Sequence, residues 1–331
     1  MSSVVKKITA VSVIMVIFLA GVMMLGLCFG SSGTGIRSFA ETIESFSNPD
    51  SLYYTIIWKI RFPRVLIAAM VGATLSLGGL VFQALMRNPL AEPYILGISG
   101  GSAIGAIIGI LLNLSRFPGV SIFAFLGGMG TLFLVLLIST GKTLLKKESL
   151  LLAGVMVNAF CSAVIMFLIS LTQDARIHNI MFWLMGDLSS GGKSEALIMG
   201  IILLPCFVVI FWFSNSMNLL LMGKEMALSM GVNVKFITVS LLVISSFMVS
   251  ATVCYCGLVA FVGLVIPHLL RLFFGSDHRV LVPACIFGGG AYLVLCDLLA
   301  RTLPHQGEMP AGVITALVGA PVFIFLLKRS E

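Results

Sequence analysis

One short stretch of the sequence looks able to bind a nucleotide. Gly191, Gly192, Lys193 and Ser194 match the end of a phosphate-binding loop, in which backbone N–H groups surround the phosphates and the lysine neutralises them. That motif also needs a glycine at position 187, which here is Asp187. No β-strand is predicted before this stretch, so we expect neither nucleotide binding nor catalysis by the chain itself.

Ionisable side chains are scarce in the apolar segments. Carriers driven by a proton or sodium gradient usually place Asp, Glu or His in the middle of a membrane span. Here His268 and Asp297 lie near the ends of apolar runs, which argues for an external energy source, although backbone and polar groups can also bind sodium. The seven cysteines lie in or beside apolar runs without a paired C-x-x-C, so we predict buried side chains, no metal site and no cofactor.

Basic residues crowd one predicted outer surface. Lys59, Arg61 and Arg64 surround the start of the second long apolar run, and Arg301 follows the ninth. The residue types alone leave two interpretations open. The side chains reach from helix ends to the membrane–water interface, or they form a basic dock for an acidic protein, because complementary charge orients an encounter.

A polar stretch of unusual length separates two long apolar segments. It runs from Ser214 to Lys235 and mixes charged and amide side chains with methionines and leucines. Connections between membrane helices are usually shorter. Because Gly223 and Gly231 interrupt the stretch, we predict two short amphipathic helices that face a soluble partner.

The segment from Arg87 to Pro93 is a second polar connection. Pro89 and Pro93 limit helix continuation and stiffen the backbone. The segment is either a rigid constriction at a pore mouth or a plain tight turn, and the residue types favour neither.

Apolar runs must position all of these residues. The chain has 331 residues, of which 59% are hydrophobic and 10% charged, where a soluble domain has about 25% charged residues. Runs of near twenty apolar residues predict membrane-spanning helices. We therefore predict an all-α integral membrane protein with one domain, residues 1–331, whose first run is a membrane helix and not a signal peptide. Its ten spans are residues 8–30, 64–86, 94–114, 121–141, 150–171, 195–214, 236–255, 258–274, 281–300 and 312–327.

The distribution of charge predicts the orientation. Ten spans put both termini on one side, and with the termini inside, twelve of the twenty Lys and Arg residues and five of the thirteen acids are inner. The inner segments then carry the whole formal charge of +7, as the positive-inside rule requires. The basic composition therefore indicates topology in a cytoplasmic membrane and does not indicate nucleic-acid binding.

Glycines recur every four residues in the third span. Gly97, Gly101, Gly105 and Gly109 would lie on one face of a helix, where a second backbone can approach closely. We adopt the structural interpretation, in which these glycines allow tight packing inside the bundle. Gly288 to Gly290 in the ninth span are interpreted in the same way.

Several motifs in a fixed order cover nearly the whole chain. Together they resemble the FecCD/BtuC-like permease subunits of type II ABC importers for iron–siderophore, haem and cobalamin. The motifs are Arg61–Arg64, Gln83–Leu85, Asn88–Pro93, Leu96–Gly101, Leu151–Gly154, Gly263–Arg271, Asp277–Arg279 and Gly319–Phe323.

The resemblance implies partners and a role for particular residues. A permease of this family dimerises around a central path, with a second identical or related permease, and is driven by a cytoplasmic ABC ATPase dimer after delivery by a periplasmic or lipid-anchored binding protein. The implied docking residues are Arg61, Arg64 and Arg301. One implied cytoplasmic gate is Asn88 and Leu90, and the second lies before the Leu-Leu-Ala-Gly motif, where this chain departs from the small hydroxyl residues of relatives with Lys147 and Glu148. The implied ATPase-coupling loop is residues 215–235, with Met217, Asn218, Gly223, Lys224, Glu225, Ala227 and Gly231.

Substrate identity stays open at the level of sequence. Ferric siderophore is the first expectation, because most relatives serve iron, and haem and cobalamin follow. The alternative from another class is a secondary carrier or channel that works without an ATPase, and a non-transporting scaffold fits the glycines and gate-like prolines poorly.

Overall fold

The apolar runs of the sequence form helices. A computed structural model describes residues 3–30, 54–139, 147–172, 174–189, 191–304 and 307–330, and no strand occurs within these ranges. The α-helices described are α1 (Ser3–Cys28), α2 (Phe62–Met86), α3 (Ile98–Leu111), α4 (Ser121–Ser139), α5 (Lys147–Ser170), α6 (Asp174–Leu184), α7 (Lys193–Trp212), α8 (Ser214–Met222), α9 (Lys224–Ser229), α10 (Val234–Cys256), α11 (Val262–Phe274), α12 (His278–Thr302) and α13 (Ala311–Ser330). A π-helical segment, Thr55–Arg61, leads into α2, and a kinked segment, Arg116–Val120, with extended backbone at Phe117, leads into α4.

Each predicted span contains one of these helices, which confirms the all-α membrane fold. Among the described residues, seven helical segments are long and apolar enough to cross a membrane: Val4–Cys28, Thr55–Met86, Arg116–Ser139, Glu148–Ser170, Lys193–Trp212, Val234–Cys256 and His278–Thr302. Three shorter apolar helices, Ile98–Leu111, Val262–Phe274 and Ala311–Leu326, lie in the remaining predicted spans. The number of crossings and the side of the termini stay predictions.

Helix α3 is shorter than a typical membrane-spanning helix and is packed inside the bundle. Its 14 residues extend about 21 Å, less than the roughly 30 Å of a hydrocarbon core. A 3₁₀ turn, Pro93–Leu96, precedes it, and Gly97 joins the two with a φ of 78°. Irregular backbone at membrane depth is tolerated where protein surrounds it, and most of α3 is buried.

The helices form two compact units. One consists of Met1–Leu77, Asp187–Pro205 and Val259–Glu331, and the other of Gly78–Gly186 and Cys206–Leu258. In the first, α1 and α13 pack against α12, which also contacts α11. In the second, α3 packs against α4, α5, α6 and α10. The chain passes between the units within α2 and α7; the prediction of a single domain, residues 1–331, is left as a prediction.

The glycine stripe of α3 faces α4, as the predicted close packing requires. A Cβ at Gly101 would overlap the carbonyl oxygen of Gly127, and a Cβ at Gly105 would overlap that of Phe123. Backbone–backbone approach at this distance leaves no room for any side chain. In the first unit, Gly289 of α12 likewise lies against Gly72 of α2.

Candidate functional sites at the two ends of the helices

The three arginines of the predicted dock are buried within the first unit. Arg61 and Arg64 are each 7% exposed and Arg301 is 3% exposed. The Nε and Nη2 atoms of Arg64 donate to Oδ1 of Asp297, at 3.0 and 2.9 Å, and its Nη1 donates to Glu308 at 2.5 Å. The Nε atom is also 3.3 Å from Oδ2, so two N–H groups of Arg64 hold this carboxylate, and hydrogen bonds between charged groups are the stronger kind.

Asp297 also pairs with Arg301, its neighbour one turn along α12. The distance from Nε of Arg301 to Oδ2 of Asp297 is 3.1 Å. Asp297 is fully buried and its carboxylate is shared by two buried cations, while Glu308 supplies a second negative charge at Arg64. Sequence reasoning placed Asp297 at a span end but did not pair it; the i, i+4 spacing with Arg301 was the available signal.

The guanidinium group of Arg61 caps the C-terminal end of α1. Its Nη1 donates to the carbonyl oxygens of Leu27 and Cys28, at 2.7 and 3.1 Å, the last residues of α1. Terminal carbonyls of a helix lack intrahelical partners, and a cation there also complements the helix dipole. The arginine cluster (Arg61, Arg64 and Arg301 with Asp297 and Glu308) therefore ties α1, α2 and α12 together. Whether it also docks a protein stays a prediction.

The Arg87–Pro93 segment ends α2 with a helix-stop motif. The N–H of Asn88 donates to the carbonyl of Gln83 at 3.2 Å, and Arg87 adopts a φ of 51°. In this motif an N–H group donates to the carbonyl five residues earlier, and the left-handed residue just before the donor is usually glycine. Arg87 therefore adopts its conformation at a cost in backbone strain energy. The side chain of Asn88 accepts from the N–H of Leu90 at 2.9 Å, and both residues are exposed.

Glu92 lies in the same segment and is half-buried. Burial raises the pKa of its carboxyl from 4.5 to about 7. The carboxyl therefore changes charge near neutral pH, next to the 3₁₀ turn that leads into α3.

The residues of the predicted second gate lie at the start of α5. Lys147 is its first residue, and the Lys147 side chain lies outside the described part of the chain. Glu148 is exposed in the first turn, where a negative charge complements the helix dipole. Asn88, Leu90 and Glu148 belong to the same unit, and their gating role stays a prediction.

Two short helices occupy the polar stretch, as the glycine positions predicted. Gly223 separates α8 from α9 with a φ of 125° and a ψ of 155°, a conformation that essentially only glycine adopts. Gly231, with a φ of 77°, ends the second helix. Met217 and Ala227 are fully buried and anchor the pair, Asn218 is half-buried, and Lys224 and Glu225 are exposed.

The solvent-exposed surface of α8 and α9 is apolar as well as charged. Its exposed side chains are Met222, Met226, Leu228 and Met230, which are 67, 49, 52 and 62% exposed. Methionine adapts its shape to a partner, and an exposed apolar patch rimmed by charge is typical of a protein contact.

The nucleotide-like stretch is the start of α7. The carboxylate of Glu195 accepts from the N–H of Gly192 at 3.0 Å and from the hydroxyl of Ser194 at 2.9 Å. A glutamate that reaches back to the first N–H groups caps a helix, which supports rejection of a phosphate-binding role.

The order of these elements matches one protein family over nearly the full chain. The sequence profile described as "FecCD transport family" matches residues 13–329. The chain belongs to the FecCD transport family. It is therefore the permease subunit of a type II ABC importer, a subunit class that is not itself an enzyme, and it resides in the bacterial cytoplasmic membrane.

Relatives of this FecCD permease carry different substrate names. The hemin transport system permease HmuU of Yersinia pestis is 36% identical over 94% of each chain. The vitamin B12 import permease BtuC of Citrobacter koseri is 37% identical over 99% of this chain and 95% of its own. A solved inward-facing metal-chelate type ABC transporter superposes with a TM-score of 0.86 at 30% identity, covering 97% of this chain and 99% of the other. Family membership excludes the alternative of a carrier that works without an ATPase. It also implies ATPase and binding-protein partners in a dimeric arrangement.

Proposed function

We propose that this FecCD permease carries a ferric siderophore inward across the cytoplasmic membrane. A binding protein delivers the chelate, and a cytoplasmic ABC ATPase dimer supplies the energy. The supporting observation is the similarity over almost the full length to a metal-chelate type transporter. Haem and cobalamin are the competing substrates, because the relatives named for them are 36 and 37% identical to this chain, against 30% for the metal-chelate type transporter.

Uptake in a strain that lacks the gene tests the substrate. Cells complemented with the permease receive iron-labelled siderophores, labelled haem or labelled cobalamin, with the intact ATPase or with its phosphate-binding lysine replaced. ATPase-dependent rescue by a siderophore class supports the proposal. Rescue by haem or cobalamin alone overturns the substrate, and uptake that persists with the ATPase variant overturns the ATP-driven mechanism.

Helices α8 and α9, here called the coupling helices, are proposed to transmit ATPase movement. Met217, Asn218, Gly223, Lys224, Glu225, Ala227 and Gly231 lie in α8, α9 and the glycines that end them. The support is the exposed methionine-rich surface, held on the buried anchors Met217 and Ala227. Gly223 supplies the backbone conformation at which α8 ends and α9 begins.

Gly223→Ala tests the coupling role without adding a bulky group. No atom lies within 4 Å of the added Cβ, so the change acts on the backbone conformation alone. We expect ATP-driven uptake to fall about tenfold while the ATPase still co-purifies. Gly130→Ala, which also meets no atom within 4 Å, is the control. Equal uptake by the two variants would contradict the coupling role.

The arginine cluster is proposed to dock the binding protein by exchange of carboxylates. Arg61 and Arg301 hold buried partners, whereas Arg64 pairs both with buried Asp297 and with Glu308, whose side chain is 37% exposed. An acidic residue of the binding protein would replace Glu308 on Arg64 without leaving a buried charge unpaired.

Glu308→Gln tests the exchange. It removes the competing carboxylate, so loaded binding protein should bind the purified permease about fivefold more tightly, measured as a dissociation rate by biolayer interferometry. Glu195→Gln removes an equal charge on the same predicted face and is the control. Affinities that match between the two variants would rule out exchange at Arg64.

Asn88, Leu90, Lys147 and Glu148 are proposed as the cytoplasmic gate of the dimer. Exposure of Asn88, Leu90 and Glu148 leaves them available to a second permease copy. Leu90→Cys should crosslink between the two copies and block uptake until a reductant is added. A reactive cysteine at Leu90 that never crosslinks would place the gate elsewhere.

A further inference from the structure

A basic pocket lies in the second unit, where one predicted membrane span ends and another begins. It has a volume of about 150 Å³ and is formed by the last turn of α2, the coupling helices and the first two turns of α10. Its lining residues are Ala84, Leu85, Met86, Arg87, Leu220, Lys224, Val234, Lys235, Thr238, Val239 and Leu242.

The pocket combines an apolar interior with three cations. Leu85, Leu220 and Leu242 are at most 5% exposed and form its base, whereas Arg87, Lys224 and Lys235 are exposed. The described residues that line the pocket include no acidic side chain. The ligand it fits is therefore an anion attached to an apolar body.

Volume limits the ligand further. A cavity near 150 Å³ holds a benzene-sized group, whereas drug-sized ligands occupy about 300–1,000 Å³. A ferric siderophore, a haem or a cobalamin is too large. A phosphate with its glyceryl carbons fits.

An apolar path leads from the pocket along an exposed face of α10. Phe236, Val239 and Val243 are 61, 37 and 38% exposed and follow one another at three- and four-residue spacing. They therefore lie on one helix face, and Val239 also lines the pocket. Acyl chains can lie along this face while a headgroup enters the pocket.

The backbone of Arg87 is a second, independent observation. Its left-handed φ of 51° is one that glycine would adopt without cost, yet the position carries a long cation that reaches the pocket. The conformation belongs to the helix-stop motif of α2, and a cation at a position that favours glycine is compatible with a use for its charge.

We propose that the basic pocket binds the phosphate of an anionic phospholipid, whose acyl chains lie along the exposed face of α10. Basic pockets between helices on the inner side of a membrane are suited to such headgroups. Because Lys224 begins the second coupling helix, a bound lipid would attach α9 to the ends of α2 and α10. The inference goes beyond the transport proposal and does not depend on the transported substrate.

Native mass spectrometry of the full-length chain in detergent tests the proposal. The probes are dioleoylphosphatidylglycerol, dioleoylphosphatidylcholine, which has the same chains and phosphate with a compensating cation, and glycerol 3-phosphate, which has no chains. We expect phosphatidylglycerol to bind at least about tenfold more tightly than either of the others. An acidic protein segment or a second copy as occupant would leave the two lipids indistinguishable, and free-phosphate binding would make glycerol 3-phosphate equal to phosphatidylglycerol; both results overturn the proposal.

A triple variant, Arg87→Gly with Lys224→Gln and Lys235→Gln, locates the site. Each cation near a headgroup contributes about a fivefold gain, so the triple variant should lose roughly 100-fold in phosphatidylglycerol affinity. Glycine relieves the strain at position 87, which favours a folded variant. The control removes three exposed lysines elsewhere: Lys6→Gln, Lys7→Gln and Lys328→Gln. Equal losses in the two variants overturn the proposal.

Photocrosslinking of the unmodified chain does not depend on the folding of any variant. Phosphatidylglycerol with a diazirine in its acyl chain should label Phe236, Val239 or Val243, identified by peptide mass spectrometry. Labelling confined to helices other than α10 overturns the proposal.

Discussion

At the scale of single residues, Asp297 is the charge on which the arginine cluster depends. It is fully buried and holds Arg64 and Arg301 with its two oxygens. Desolvation makes each buried ion expensive, so removal of the shared partner is worse than loss of an exposed pair. The cluster is therefore a structural requirement whether or not a binding protein also uses it.

Asp297→Asn should destabilise the protein by about 3–5 kcal/mol, because Arg301 then loses its carboxylate partner and Arg64 keeps only the partly exposed Glu308. Arg279→Gln is the comparison: it breaks the ion pair with Asp277, in which both side chains are partly exposed, and should cost at most about 1 kcal/mol. Unfolding of the purified protein by SDS titration measures both. Equal free energies of unfolding for the two variants would contradict the central role of Asp297.

Glu92 should make stability depend on pH. The folded protein holds the Glu92 proton more tightly than the unfolded chain, since the carboxyl pKa rises from 4.5 to about 7. Its stabilising effect is complete below pH 4.5 and is lost as the pH rises through about 7. Between pH 5 and pH 8 we expect a decline of about 2 kcal/mol, allowing for partial exposure.

Glu92→Gln should remove that decline, because the amide does not titrate. Glu225→Gln, at an exposed position, should keep the slope of the unmodified protein. The free energy of unfolding of each protein is measured at pH 5 and pH 8. A slope that survives in Glu92→Gln would mean that another group is responsible.

At the scale of elements, glycine decides how closely α3 and α4 approach. The stripe from Gly101 to Gly109 removes side chains where the two backbones meet. Without water to drive helices together in a membrane, close backbone contact supplies van der Waals attraction instead. At Gly223 glycine has a different role: its backbone conformation ends a helix.

Gly105→Ala should destabilise the protein by about 1–3 kcal/mol, because the added Cβ overlaps the carbonyl of Phe123 and the helices must separate. Gly130→Ala in α4 meets no atom within 4 Å and should stabilise by up to about 1 kcal/mol through helix propensity. SDS titration again gives both values. Matching effects of the two substitutions would mean that α3 and α4 are not packed through this stripe.

At the scale of the whole molecule, topology follows from charge. The twelve inner basic residues predict that the coupling helices face the cytoplasm and that the start of α7 faces outward. Both positions offer an exposed serine, Ser229 and Ser194, that cysteine replaces almost isosterically.

A membrane-impermeant maleimide applied to spheroplasts should label Ser194→Cys and not Ser229→Cys. Ser229→Cys should react once the membrane is permeabilised. The unmodified protein is the blank, since six of its seven cysteines are buried and Cys206 is half-buried. The reverse labelling pattern would invert the predicted orientation.

Sequence alone determined the helices and their interruptions. The ten apolar runs, the spacing of glycines on α3 and the breaks at Gly223 and Gly231 are local properties, because hydropathy and backbone preference act over a few residues. The FecCD motifs could be recognised for the same reason: each is a short segment. The predicted partners also follow from those motifs.

Only the tertiary structure decided which charges meet. Arg64 and Asp297 are 233 residues apart in sequence, and Glu308 is 244 residues from Arg64. The docking role of Arg61 stays a prediction from the sequence, and only the fold shows that its guanidinium caps the end of α1. The basic pocket likewise brings the end of α2 to the start of α10. Such contacts depend on which helices pack side by side, and apolar periodicity gives every helix a buried face without naming the neighbour that covers it.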